Sequence, residues 1–120
     1  MSLCLLAGAT LLTLGAQGRF TLEWQHSVEH EGWREEWQVE GEKLRLVGAA
    51  VKGSGAGMEP GPGGHFEDGW WVWSTDGPVV PELELAASGA TGGGWWLCAV
   101  DCVELGVTEG EALRVAVAGC

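Results

Sequence analysis

Tyrosine is absent from this chain, lysine occurs only as Lys43 and Lys52, and 6 basic residues face 17 acidic ones, a net charge of -11. Such a field repels phosphate backbones and anionic headgroups, which makes nucleic acid a poor partner. Long hydrophobic runs are missing as well. The longest, from Leu3 to Ala16, is broken by small residues and two threonines and is too short to span a bilayer comfortably, so the chain is not expected to be transmembrane itself. Aspartate is scarce and no Asp-x-Asp-x-Asp loop occurs, which argues against a calcium loop. A Gly-x-Ser-x-Gly elbow is also lacking, and with it the usual frame for a serine nucleophile.

What is present in excess is glycine, 21 residues, and tryptophan, 8 residues, in a chain of 120. That length makes a single domain, 1–120. Glycine at this density breaks long helices and instead punctuates short runs that alternate apolar and polar. Phe20, Leu22 and Trp24 fall on one face of such a run, with Thr21, Glu23 and Gln25 on the other. Glu36 to Val39 and Leu44 to Val47 flank the hairpin-length turn Glu40-Gly41-Glu42-Lys43. Further runs lie at Gly69–Trp73, Glu82–Ala86, Trp95–Cys98, Cys102–Leu105 and Ala112–Val117. The expected fold is all-β, a single antiparallel β-sandwich or partly open barrel of about eight short strands. Residues 1–16 are read as a first strand hairpin around Gly8-Ala9, in preference to a signal segment, because the basic start of a secretory signal is missing.

Four cysteines bear on compartment. Cys98 and Cys102 flank a three-residue loop between two strand-like runs and can close a hairpin disulfide. Cys4 and Cys120 lie at opposite ends of the chain, where terminal strands often meet, and can form a second bridge. An even count suits an oxidising compartment; two free buried thiols and a merely adjacent pair are the alternative. The three-residue spacer is not that of redox or zinc motifs.

Three segments carry residues that a plain folding unit does not need: His26-Ser27-Val28-Glu29, Trp33-Arg34-Glu35-Glu36-Trp37, and the glycine loop Gly53-Ser54-Gly55-Ala56-Gly57-Met58-Glu59-Pro60. His26 and Ser27 are adjacent, and neighbours on a strand point to opposite faces, so a hydrolase would need a bend there or another histidine. The structural alternative is that both satisfy backbone groups at a strand end. His26, Glu29 and His30 form an incomplete metal set that only His65 or a remote carboxylate would complete, and no metal or cofactor is assigned. The glycine loop offers amides for an anionic group, with Lys52 and Arg34 to assist, although glycines equally suit a wide turn. Trp71 and Trp73 share a face opposite Trp70. One of these faces is core, and the other is a candidate for recognition.

The order of these segments, followed by Asp68-Gly69-Trp70-Trp71-Val72-Trp73 and by Leu97-Cys98 to Cys102, resembles the bacterial proteins catalogued as domain of unknown function 1850. The resemblance runs from about Arg19 to about Leu105. It implies a small all-β protein encoded beside tripartite (TRAP) transporters of the TAXI type, a neighbourhood rather than a mechanism. The expectation is therefore a non-catalytic accessory or binding protein that contacts a membrane or solute-binding component of the transporter. Its expected place is the periplasm or the outer face of a membrane, with the cytoplasm left open. The expected recognition residues are His26, Ser27, Glu29, Trp33, Arg34, Glu36, Ser54, Gly55, Gly57, Met58, Trp71 and Trp73. The alternatives are a periplasmic module for a small ligand or metal, and a hydrolase using His26 and a nearby nucleophile.

Overall fold

A computed structural model describes residues 3–25, 32–52, 64–87 and 94–120. Among these the chain forms twelve strands: β1 (Leu3–Ala7), β2 (Thr10–Thr13), β3 (Arg19–Gln25), β4 (Gly32–Glu40), β5 (Lys43–Lys52), β6 (His65–Glu67), β7 (Trp70–Ser74), β8 (Val79–Val80), β9 (Leu83–Ala87), β10 (Trp95–Cys98), β11 (Cys102–Leu105) and β12 (Gly110–Gly119). They make two antiparallel sheets. The smaller has the order β2-β1-β12-β9, and the larger runs β11-β10-β3-β4-β5-β7-β6, with β8 also paired to β5. This is the expected all-β antiparallel fold, compatible with a sandwich or partly open barrel, with more strands than the eight or so expected.

Local chemistry explains most of the pairing. Gly8 takes a left-handed φ of 60° in the two-residue turn that joins β1 to β2, and Gly41 takes 62° in the turn between β4 and β5, a conformation that costs other residues energy. The two ends of the chain meet, since β1 pairs with β12 from Leu3↔Gly119 to Ala7↔Val115. Cys4 is bonded to Cys120 across that junction, and Cys98 is bonded to Cys102 across the hairpin between β10 and β11. Both expected disulfides are thus formed.

The hydrophobic core lies between the sheets. Leu5, Ala7, Leu12, Leu85 and Val115 of the small sheet meet Phe20, Leu22, Trp37, Leu44, Leu97 and Leu105 of the large one, all buried. The inner face of the large sheet is therefore the one that carries Phe20 and Leu22. Register then sorts every other residue of that sheet, because cross-strand partners share a face.

β6 and β8 escaped the sequence reading, and β4 and β5 were read only in part. β4 begins at Gly32, not near Glu36, because Glu35 occupies an inward position and spoils the alternation that would have revealed the strand. β6 has all three residues exposed and shows no apolar periodicity. Its pairing is built by the Asp68-Gly69 turn, where Asp68 has φ 50° and Gly69 φ 84°.

Candidate functional site

One row of side chains crosses the large sheet on its inner face. Register sets Trp24 opposite Trp33, Trp33 opposite Val51, Val51 opposite Trp71 and Trp71 opposite Phe66. Trp96 faces Glu23, so Trp95 falls beside Trp24, and their ring centroids are 4.9 Å apart. The row thus reads Trp95, Trp24, Trp33, Val51, Trp71, Phe66. Trp24 and Trp33 stack at 6.4 Å with planes 14° apart, and Phe66 meets the Trp71 ring edge-on at 4.8 Å. Such offset and edge contacts suit the aromatic quadrupole.

This row is not simply more core. Trp24 and Trp95 pack against the core cluster, but Trp33, Trp71, Trp73 and Phe66 stand outside it, and Phe66 is 56% exposed. The Trp37 and Trp95 indoles donate to Glu35 Oε1 at 3.1 Å and to the Ala86 carbonyl at 2.8 Å. Trp33 Nε1 and Trp71 Nε1 are buried and have no acceptor among the described residues. An unpaired buried N–H costs about 1–3 kcal/mol and calls for a reason. Gly64 passes close over the Trp71 indole, where a Cβ would lie 2.5 Å from Nε1 and force a shift.

The next row inward is Leu97, Leu22, Glu35, Ala49, Trp73. Glu35 is a partly buried carboxylate on an otherwise apolar face. Burial pushes its carboxyl above the ordinary value of 4.5, and the Trp37 indole donor works in the opposite direction. A carboxyl held above its unfolded value lends stability that is complete below about 4.5 and is lost as pH rises through the folded value. Glu35→Gln retains an acceptor for Trp37 and removes the charge. Thermal unfolding is therefore expected to show this variant melting higher than the wild type at pH 7, with the gain vanishing below pH 4.5. An equal gain at both pH values would contradict the burial account.

The outer face of the same sheet is differently built. Arg34 and Lys52 lie over the Trp70 ring at 4.2 and 5.2 Å, and Trp70 covers Gly32. Arg34 also reaches Glu23 at 3.4 Å, and Arg19 pairs with Glu36 at 2.8 Å. Arg34 and Lys52, the basic side chains expected to assist an anion, are thus engaged within the sheet.

The expected recognition residues divide accordingly. Trp33, Trp71 and Trp73 share the inner face. Arg34 and Glu36 lie on the outer face, so the sheet separates them from the tryptophans. His26, Ser27, Glu29, Ser54, Gly55, Gly57 and Met58 fall outside the described residues. Trp24, Trp95, Phe66 and Glu35 share that inner face and are not among the expected recognition residues. A signal for Glu35 did exist, since it keeps the strand phase of Trp33 and Trp37. A depression of about 380 Å³ lined by Leu14, Gln17 and Val39 lies at the other end of β4, and its lining has no ionisable side chain.

The family model for a domain of unknown function (DUF1850) matches residues 20–105, which include the aromatic row and Glu35. No curated protein and no solved structure matches the chain.

Proposed function

The chain belongs to the family of the domain of unknown function DUF1850, and on that premise we propose that it is a non-catalytic accessory or binding protein of a TAXI-type TRAP solute transporter. It works in the periplasm or on the outer face of the membrane. The observation that carries the binding role is the aromatic row, Trp24, Trp33, Trp71 and Phe66, extended beyond the core on one face of a rigid sheet. Rigid indoles supply large contact area at little entropic cost, and partly exposed clusters of them mark recognition surfaces. Two disulfides support an oxidising compartment. The transporter as partner rests on what the family resemblance implies.

A small-ligand module is the second reading, favoured by Glu35, which among the described residues interrupts the apolar face. The accessory role is tested by tagging the chain, solubilising native membranes in detergent, and looking for the solute-binding and membrane subunits among co-purified proteins. Their recovery in stoichiometric amounts is expected. Recovery no better than from an unrelated tagged β-sandwich sinks the accessory role.

A further inference from the structure

We infer that the aromatic row and Glu35 form a seat for one small organic cation, an alkylammonium group held against indole faces with the carboxylate as its counter-ion. The inference rests on the binding role proposed above and names the ligand class. Indole faces attract cations within about 6 Å of the ring centroid, most strongly where water is excluded. This sheet already packs cations on indole, since Arg34 and Lys52 cover Trp70 on the outer face. The described residues of the inner face offer the same ring chemistry and no cation of their own. Neither of its two described rows contains a lysine or arginine, and Glu35 has no ion pair among the described residues.

Spacing suits a compact charged group. Glu35 follows Trp33 by two residues on the same face, about 6–7 Å along the strand. Among the described residues, Ala49 and Val51 of β5 stand between the indoles of β4 and β7, which keeps Trp33 and Trp71 two strand spacings apart, about 10 Å. Among the described residues, indoles flank the small aliphatic Ala49 and Val51, and Glu35 stands in the next row, with one carboxylate oxygen accepting from Trp37 Nε1 at 3.1 Å. A broad basic protein surface would call for several exposed carboxylates at a rim. One partly buried carboxylate among indoles matches one cationic headgroup, and the protein's net charge of -11 draws that group in. Retaining a charge at Glu35 that burial disfavours is the kind of stability cost found at binding sites.

The test titrates tetramethylammonium into the full-length oxidised chain and follows the indole ¹H–¹⁵N signals of Trp33 and Trp71. Saturable shifts of both are expected. Glu35→Gln should bind about tenfold more weakly or worse, and Trp33→Leu weaker again, with both variants still folded by circular dichroism. Neutral tert-butanol, of similar size, should give no saturable shift. Equal binding by Glu35→Gln, or equal binding of tert-butanol, overturns the cation seat. Saturation by a lysine-rich peptide in the absence of any tetramethylammonium response also overturns it, in favour of a protein partner. Co-purification with transporter subunits without tetramethylammonium binding removes the cation seat alone. Tetramethylammonium binding without co-purification supports the seat and removes the accessory role alone.

Discussion

Replacing both Cys4 and Cys120 by serine is expected to lower the stability of the folded chain by about 4–5 kcal/mol, against about 2 kcal/mol for the Cys98 and Cys102 pair. The difference comes from the loops that the bridges close. Cys4–Cys120 spans 116 residues, and Cys98–Cys102 spans 4. In the chain-entropy view a bridge acts by limiting the unfolded ensemble, and the limit grows with the logarithm of the loop. A domain of this size holds on the order of 5–15 kcal/mol in all, so losing the long bridge removes a large share. Location adds to this. Cys4 is 3% exposed and lies in β1, the strand that holds β2 and β12 together. Thermal unfolding of the two serine pairs, with the other bridge left oxidised, checks the order. A larger loss from the short bridge would contradict it.

Trp37→Ala is expected to cost about 3–5 kcal/mol, the range for emptying a buried large aromatic site. Trp37 is 4% exposed, stands opposite Phe20 and Leu46, and belongs to the core cluster. Its indole is also the one described donor to Glu35, so truncation leaves a partly buried carboxylate without that bond. Trp33→Ala, four residues earlier on the same strand and face, is expected to cost no more than about 2 kcal/mol, because Trp33 lies outside the core cluster. Chemical denaturation of both variants separates the two roles. Equal losses would make the aromatic row ordinary core.

The strand Phe20-Thr21-Leu22-Glu23-Trp24 was legible because one face is core and the other polar, the condition under which period-two alternation survives in a sequence. The turn at Glu40–Lys43 and the meeting of the chain ends at Cys4 and Cys120 were legible for equally local or countable reasons. β4 was only half legible. Its first half reads Trp-Arg-Glu-Glu, and the inward Glu35 next to the outward Glu36 hides the phase that Trp33 and Trp37 define. The row itself lay beyond sequence reasoning. Trp71 and Trp73 could be placed on one face, but Trp24 and Trp95 join them only through the order β10-β3-β4-β5-β7, and that neighbourhood of β10 and β3 spans some seventy residues of chain. Arg34 and Glu36 looked like partners of Trp33 by proximity in sequence, and strand alternation sends them to the opposite side.

The surface proposed for recognition can be removed without touching the core. Co-purification of the tagged Trp33→Ala, Trp73→Ala double variant with the transporter subunits, from detergent-solubilised native membranes and beside the wild type, tests the account most directly. The variant is expected to fold and to lose those subunits while the wild type retains them. Undiminished recovery by a folded double variant would contradict it.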